Sequence, residues 1–556
     1  MERIPDTHEI HGRVDIRHPI YDGVSKKRLL VSTNLYNLLR RLRDPAASTT
    51  LWIDALCINQ DDFDERASQV LLMADIYRRA RAVVLWLGEE DDETKTAFAL
   101  ADQLAHHPDC NPDGEFAPPV PMTALDLLDG SGLARLGLPP EDSPAWRALF
   151  NVFRRPVFQR VWIIQEMALA RYPPMVLCGS HTILLPYLVG SMTFLSTRGW
   201  MDLMQTRLPQ EDGDLFNVQS YADDIIKIRW AVRRRNQAPS IALVLRFKAT
   251  DPRDKIYGML GLMKVPEMPE ASRALLQPDY RKAVEDVYRD ATIAFILAEN
   301  NLALLSFAGH RRDQDQESAR LPSWVPDYAV RNGRTAALIS AFYSPYQASG
   351  AVPPGSPVVP GQPRSIAVRA FRLDTIAAMA RQDLDPLEPL HMVELIGMIR
   401  RLPSTYAPTG EEVEEALWKT LVGNCGMKLS ERGFPEEQEV RESFKELMRF
   451  HLLKVYRPQE PVPRRIVKQD EKFLRLHMYH MAGRPFFVTR RGVLGMGGPE
   501  FHAGDAVYVV AGSPVPFVIR AENGRFRLVG DCYVHGIMDG EVLARAGFAW
   551  EQMILD

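Results

Sequence analysis

The hydrophobic and polar positions of residues 51–90 change their period twice. Residues 51–56 are mostly apolar and lead into a polar run at 59–62, a pattern typical of a short strand followed by a loop. From Asp64 the apolar positions recur every three or four residues, which predicts an amphipathic helix. Residues 82–87 form a second apolar run, where we expect another strand. Two strands joined by a helix predict a right-handed βαβ unit, with a ligand-binding edge beyond the carboxyl ends of its parallel strands.

The rest of the pattern divides the chain into further segments. Residues 1–30 are polar and irregular apart from a strand expected at 29–31, after which Ser32 or Thr33 is expected to cap a helix. Residues 485–543 alternate short apolar runs with glycine turns, which predicts a small antiparallel barrel or sandwich. We therefore expect an α/β domain at 1–180 with an insertion at 107–145, a helical region at 181–345, a proline- and glycine-rich linker with a further strand at 346–384, a helical segment at 385–482 and a β domain at 483–556.

Composition and charge exclude several classes of function. A net charge of -4 over 556 residues gives no sign of nucleic-acid binding. No apolar run reaches about 18 residues, and the start of the sequence lacks the apolar core of a signal peptide. We therefore expect no membrane span and a cytoplasmic protein. Five widely spaced cysteines favour free thiols in a reducing compartment over a disulfide framework.

Several motifs, taken in order along the chain, resemble those of a known family. They are WIDALCINQ at 52–60, AVVLWLG at 82–88, RVWIIQEMALA at 160–170, DPRDKIYGMLGL at 251–262, LPSWVPDY at 321–328 and GDCYVHGIMDGE at 530–541. This ordered set resembles the fungal heterokaryon-incompatibility (HET) domain proteins. The chain departs from the family at residues 1–30, which contain no match to the usual first strand, Tyr-x-Ala-Leu-Ser-Tyr-x-Trp-Gly. Either the gene sequence is truncated or this variant has lost the strand, together with any nucleotide contact that the strand supplies.

The resemblance implies a fold and a reaction. HET domains look like divergent relatives of the TIR domain, so the family implies a flavodoxin-like α/β module with a parallel sheet. In TIR domains that cleave NAD+, one helix carries a Trp-x-x-x-Glu pair whose glutamate is required. Trp162 and Glu166 have this spacing, which makes them neighbours one helical turn apart. The family thus implies Glu166 as the catalytic residue, NAD+ as the substrate and no further cofactor.

Elementary chemistry is compatible with that role for Glu166. Cleaving the bond between nicotinamide and ribose builds positive charge on the sugar ring, which a fixed carboxylate stabilises. Nicotinamide leaves as a neutral molecule, so no general acid is essential. The alternative is structural: Glu166 pairs with Arg160, Arg171 or a backbone amide, while Trp162 packs in the core.

A second candidate site is the polar loop after the first expected strand. Amides and charged groups at the carboxyl end of a strand can hydrogen-bond ribose hydroxyls or the edge of adenine. The predicted substrate-binding residues are Asp54, Asn59, Gln60, Glu65, Arg66 and, by stacking, Trp162. The competing interpretation is local, with Asp64 capping the next helix and Asp54 satisfying loop amides.

The cysteines and histidines give weaker signals. Cys57 lies near the polar loop but has no neighbouring histidine in the sequence to activate it, which favours a buried thiol. Cys532 and His535, with His502 upstream, lack a second ligand pair at zinc-finger spacing. We therefore expect no metal.

Two functions stay open on the sequence. In the first, the protein is a HET-domain effector of fungal non-self recognition, innate immunity and programmed cell death that hydrolyses NAD+. In the second, it is a non-catalytic interaction module with a degenerate TIR-like fold, which the missing first strand favours. Both imply protein partners in incompatibility signalling and are compatible with a homo-oligomer. Neither implies a nucleic acid or a membrane span.

Overall fold

The structure of the chain is a computed structural model with two compact units, Met1–Ala238 and Pro239–Asp556. It describes residues 7–10, 13–21, 28–107, 133–134, 137–140, 142–197, 221, 224–225, 228–229, 232, 245–309, 320–329, 338, 345–381, 389–424, 436–456, 481, 483–522, 524–544 and 547–556. Most of the insertion predicted at 107–145 lies outside these ranges. No helix in the described ranges is both long enough and apolar enough to cross a bilayer.

The first unit is built from short strands and helices. Its strands are β1 (Thr7–Ile10), β2 (Arg13–Tyr21), β3 (Arg28–Ser32), β4 (Val84–Trp86), β5 (Met175–Cys178) and β6 (His181–Leu184). Its helices are α1 (Thr33–Leu42), α2 (Asp54–Cys57), α3 (Phe63–Arg79), α4 (Thr94–Ala105), α5 (Pro144–Phe153), α6 (Trp162–Leu169) and α7 (Leu185–Thr197), with a 3-10 turn at Pro156–Gln159 before α6. The apolar faces of α5 and α7 both pack against α4.

The strands of this unit form two small sheets. β1, β2 and β3 pair in antiparallel order, so the prediction that residues 1–30 are irregular up to the last strand is wrong. In the other sheet β4 runs parallel to β5, and β5 runs antiparallel to β6. The expected flavodoxin-like parallel sheet is not confirmed, because the described residues contain a single parallel pair in this unit, β4 with β5.

The strand predicted at 51–56 is wrong, because the backbone there forms local hydrogen bonds. The Cys57 N–H donates to the Ile53 carbonyl at 2.8 Å, and the Ile58 N–H donates to the Asp54 carbonyl at 3.0 Å. These bonds close the single turn of α2 and occupy carbonyls that strand pairing would need. In place of the predicted βαβ unit, this segment contains the single turn α2, then α3, then the strand β4.

α3 follows the hydrophobic pattern closely, but a different residue caps it. The Asp62 carboxylate accepts from the backbone N–H groups of Asp64 and Glu65, at 3.0 and 3.1 Å. The expected cap by Asp64 is therefore wrong by two residues. The cap expected at Ser32 is confirmed for α1, where its hydroxyl accepts from the Leu35 N–H.

The acidic loop after β4 is engaged in contacts within the unit. Glu89 pairs with Arg41 at 2.6 Å. The Glu90 carboxylate accepts from both the backbone N–H and the hydroxyl of Ser180, each at 2.6 Å. Gly179 precedes Ser180 with a φ of +53°, and a Cβ at that position would lie 2.5 Å from the Glu90 carboxylate. A glycine is thus required for this turn to approach the acidic loop.

The second unit begins with helices and ends in a β domain. Its helices are α8 (Asp254–Tyr257), α9 (Glu270–Leu275), α10 (Val284–Glu299), α11 (Pro389–Ile399), α12 (Val413–Leu421) and α13 (Glu437–Tyr456), with 3-10 turns at Val265–Glu267, Ala303–Phe307 and Glu541–Ala544. Its strands are β7 (Ile366–Met379), β8 (Phe486–Thr489), β9 (Leu494–Met496), β10 (Ala506–Val510), β11 (Phe517–Glu522), β12 (Arg525–Asp531), β13 (Tyr533–Val534) and β14 (Glu551–Leu555). The expected antiparallel-rich C-terminal domain is confirmed.

One long strand closes this sheet into a barrel. β7 pairs along its length with β14, then β10, then β8. Because β10 also pairs with β11, and β12 joins β11 to β14, these five strands form a closed ring, and β8 continues the sheet to β9 and β13. The interior is apolar, with fully buried residues such as Ile376, Val507, Val509 and Val518.

A fully buried ion pair lies in the barrel. An Arg484 guanidinium nitrogen donates to the Asp531 carboxylate at 2.8 Å, and a second one donates to the Asp531 carbonyl at 3.2 Å. The two side chains are 1% and 0% exposed. Neither charge is solvated, so each depends on the other for its stability.

The segment before α12 is anchored to the barrel by Glu411. Its carboxylate lies 2.6 Å from His535 Nε2, and it accepts from Lys419 at 2.8 Å and from Thr409 at 2.7 Å. Burial alone would raise the pKa of Glu411, but these three hydrogen bonds lower it to about 2. His535 therefore has a carboxylate partner. Among the described residues, no three histidine, cysteine or acidic side chains are placed to share a metal ion.

We expect Arg484→Met to destabilise the second unit by about 3–5 kcal/mol, because Asp531 would remain buried without its counter-charge. Urea unfolding followed by tryptophan fluorescence measures the change. The exposed Arg491→Ala is the matched control and should change little. The double variant Arg484→Met with Asp531→Leu should regain most of the loss, and a double variant as unstable as the single one would contradict this account.

We expect Glu411→Gln to make the second unit less stable at neutral pH and less sensitive to acid. The folded pKa of Glu411, about 2, lies below its ordinary value of 4.5. The stability it contributes is therefore complete above about pH 5 and is lost as the pH falls toward 2. Urea midpoints measured from about pH 7 to about pH 3 test this. The exposed neighbour Glu412 provides the control, since Glu412→Gln at the surface should change the urea midpoint little.

Candidate functional site

The candidate site is built around α6, a helix that is buried on most of its surface. Ile163, Ile164 and Met167 are at most 1% exposed, and Gln165 is fully buried. A helix with six of its eight residues buried is held in place by packing on most of its surface. Glu166 is half-buried on this helix, so its position is set by the packing of its neighbours.

The Glu166 carboxylate meets α3 through Tyr77. The Tyr77 phenol adjoins it and lowers its pKa, and the two helices pack against each other. On its other side the Tyr77 ring meets the edge of Trp52, with ring centroids 5.9 Å apart and planes at 81°. Tyr77 therefore connects Glu166 with the segment that precedes α2.

Asp54 and Arg160 complete the charge environment of Glu166. Burial is the main effect and raises the pKa of Glu166, Arg160 opposes it, and the negative charge of Asp54 raises it further. The residue keeps some exposed surface, but its carboxyl group is enclosed. The structure thus brings Asp54 and Glu166, separated by more than a hundred residues, into one electrostatic site.

The same surroundings act on Tyr77. Burial and then the charges of Glu166 and Asp54 raise the pKa of its phenol well above the ordinary value of 10.0. Tyr77 consequently keeps its proton near neutral pH and presents a neutral phenol to Glu166. The arrangement holds one carboxylate firmly oriented beside a second, which is suited to stabilising a positive charge.

The predicted loop residues have local partners. The Glu65 carboxylate accepts from the Asn59 backbone N–H at 3.0 Å, and the Asn59 side-chain oxygen accepts from the Asp61 N–H at 3.3 Å. The Gln60 amide reaches the Asp54 carbonyl at 3.5 Å. These bonds shape the loop between α2 and α3. The role of Asn59, Gln60 and Glu65 in substrate binding stays a prediction.

Arg66 and Trp162 lie on the helices of the site. Arg66 is in the first turns of α3 and Trp162 is the first residue of α6, and both are half-buried. Their predicted contacts with a nucleotide remain predictions. Cys57, expected to be a buried thiol, is exposed at the end of α2, because that turn directs residues 55–57 to the surface.

Sequence reasoning missed Tyr77 as a site residue. The helical period allowed either Ile76 or Tyr77 on the apolar face, and both are half-buried. A tyrosine at the edge of an apolar stripe was the available signal, since a buried phenol needs a hydrogen-bond partner. Its partner, Glu166, lies too far along the chain for local spacing to identify it.

We expect Glu166→Gln to raise the thermal stability of the first unit at neutral pH. The folded pKa of Glu166 is above its ordinary value of 4.5, so ionising it as the pH rises costs stability that a neutral glutamine does not lose. A gain on the order of 1 kcal/mol corresponds to a rise in Tm of roughly 2–4 °C for a unit of this size. Calorimetry at about pH 7 should show the rise, and near pH 4 it should vanish.

The matched control for this stability change is Glu93→Gln in the same unit. The Glu93 carboxylate accepts from Asn151 at 2.8 Å and lies 3.5 Å from Arg147. Glu93→Gln removes a carboxylate that has partners on α5, so it should not raise the Tm. A Glu166→Gln protein that melts below the wild type at about pH 7 would contradict the destabilising burial of Glu166.

Comparison with known proteins extends over both units. The family described as "Heterokaryon incompatibility protein (HET)" matches residues 8–166, from β1 to the candidate glutamate, and the "Het-6 beta-barrel domain" matches residues 465–548. A curated relative, "Heterokaryon incompatibility protein 6, OR allele" of Neurospora crassa, is 25% identical over an alignment of 614 residues. That alignment covers 96% of this chain and 88% of the relative. No solved structure matches the chain. Residues 8–166 thus match the heterokaryon-incompatibility (HET) family and residues 465–548 match its barrel domain, and the chain is similar to the Neurospora relative over most of its length.

Proposed function

We propose that this protein acts in heterokaryon incompatibility, the process named in its Neurospora relative, and that its first unit hydrolyses NAD+ at Glu166. In this role it recognises non-self with protein partners and triggers cell death through loss of NAD+. The observation that carries the chemistry is the shared site of Glu166, Tyr77 and Asp54. The TIR-like character of the unit belongs to the same proposal.

The reaction breaks the bond between the nicotinamide nitrogen and the ribose carbon. The bonding electron pair leaves with nicotinamide, which becomes neutral, and the positive charge moves to the ribose ring. A carboxylate held against that ring stabilises the charge as it develops. Water then adds to the ribose carbon and releases a proton, which gives ADP-ribose.

Burial gives the Glu166 carboxylate its strength in this role. In a poorly hydrated site a charge interacts more strongly with an opposite charge than it does in water. The Tyr77 hydroxyl orients the carboxylate, and Arg160 favours its ionised form. A positively charged nicotinamide ring beside Glu166 favours its ionised form further, which is the form that catalysis needs.

A second candidate function has its own supporting observation. The polar groups of the loop between α2 and α3 are bonded to each other, as Glu65 is to the Asn59 backbone. A loop of this kind is a rigid surface that is suited to protein contact without chemistry. In that case the site around Glu166 is structural, and the protein acts by binding partners alone.

We expect purified full-length protein to release nicotinamide from NAD+, and Glu166→Gln to lower kcat by roughly 10²–10³-fold, the loss typical of removing one preorganised charge-stabilising group. Asp54→Asn should have a smaller effect, concentrated in KM, because Asp54 is assigned to ribose binding. Glu93→Gln, which changes a carboxylate outside the site, should keep wild-type kinetics.

The pH profile provides an independent check. The ratio kcat/KM, which reports the free enzyme, should fall on the acid side with a midpoint above that of an ordinary glutamate, since burial raises the pKa of Glu166. Equal nicotinamide release by wild type and Glu166→Gln would remove Glu166 from the mechanism. No release by an assembled wild-type protein would favour the interaction module.

A further inference from the structure

Exposed apolar side chains are concentrated around α3. Among the described residues, eleven large hydrophobic side chains are exposed, and five of them fall within residues 51–72. Two of these five, Leu71 and Leu72, are 51% and 50% exposed at the middle of α3. Single exposed leucines are ordinary on a protein surface, but two adjacent ones at the centre of a helix form a patch.

The patch belongs to a continuous outer face of the helix. Exposed residues recur at steps of three and four along α3, which places them on one side. They are Asp64, Ser68, Leu71, Leu72, Asp75 and Arg79. The opposite side carries the buried residues and Tyr77, which faces Glu166. The outer face is therefore separate from the candidate site.

The two ends of α3 carry opposite charges at equal distances from the two leucines, whereas Asp75, also on the outer face, pairs with Arg78 of the same helix. Asp64 and Glu65 lie in its first turn, and Arg78 and Arg79 lie in its last turn. Leu71 and Leu72 stand midway between Asp64 and Arg79 in the sequence. A second copy of the helix, laid antiparallel across the first, thus places its acidic end on the basic end of its partner. A parallel arrangement would place like charges together.

We propose that the outer face of α3 is a self-complementary docking surface whose partner is a second copy of this chain. The two helices cross antiparallel about a two-fold axis at Leu71 and Leu72. Asp64 of each copy faces Arg79 of the other, and the helix dipoles oppose each other favourably. An isologous contact of this kind is closed by symmetry at two copies.

The size of the surface sets the strength of the contact. A helix of 17 residues is about 25 Å long, and two half-exposed leucines supply a small apolar centre. Stable complexes bury about 800 Å² on each partner, which one helix face does not reach. The α3 contact is therefore weak, and the dimer forms only when the local concentration of the chain is high.

Sedimentation of the full-length protein over a range of concentrations tests the proposal. The wild-type mass should rise from one chain toward two as concentration increases. Leu71→Glu and Leu72→Glu should each raise the dimer Kd by ~10-fold or more, because a charge enters the apolar centre. Leu390→Glu is the matched control: Leu390 is 56% exposed on α11, and its replacement should leave Kd unchanged.

A charge exchange distinguishes the antiparallel geometry from a general effect of the patch. Arg79→Glu and Asp64→Lys should each weaken self-association, since each pure variant opposes two like-charged pairs. An equimolar mixture of the two variants should regain dimers, because every pair across the axis is then of opposite charge. Circular dichroism of each variant confirms that α3 remains folded.

A wild-type protein that stays one chain at every concentration would overturn the proposal. So would self-association that is unchanged by Leu71→Glu and Leu72→Glu, or a mixture of the charge variants that fails to recover. None of these outcomes depends on NAD+ hydrolysis, since the readout is mass and the outer face does not include Glu166.

Discussion

The first unit depends on the close packing of α6, which leaves its one acidic side chain no alternative position. Enclosing a carboxyl group is unfavourable unless other polar groups compensate. Tyr77 and Arg160 supply part of that compensation, and burial still raises the pKa of Glu166. Holding the Glu166 carboxylate in these surroundings lowers the stability of the folded unit. Perturbed groups of this type are concentrated at functional sites, which is why this one is a better candidate than the acidic loop after β4, where charges are matched by close partners.

α3 shows how one helix divides its surface between two tasks. Its inner side carries Tyr77 toward Glu166, and its outer side presents Leu71 and Leu72 to solvent. The helix is held at its start by the Asp62 cap. Because the two sides are connected by one rigid element, a contact on the outer side restrains the element that orients the site. An enzymatic role at Glu166 and a protein-binding role on the outer side of α3 are therefore physically compatible.

The sequence predicts the elements whose signals are local, and it fails where distant groups decide. The period from Asp64 onward predicted α3, and glycine turns among short apolar runs predicted the C-terminal β domain. The strand prediction at 51–56 was wrong, because the length and composition of an apolar run do not show whether its carbonyls accept local hydrogen bonds. The Ile53 carbonyl accepts such bonds here. The Trp-x-x-x-Glu spacing indicated Glu166. The contact between Glu166 and Tyr77 joins residues far apart in the chain, so a single sequence does not predict it.

The barrel is continuous in space but interrupted along the chain. β7 comes from residues 366–379, whereas the family match to the barrel covers residues 465–548. A fragment limited to the matched region would leave β8 and β10 with a row of unpaired N–H and carbonyl groups where β7 belongs. Such open edges attract other strands and promote aggregation. The described elements between β7 and β8 are helices, so β7 must be included with the distant segment whose barrel it closes.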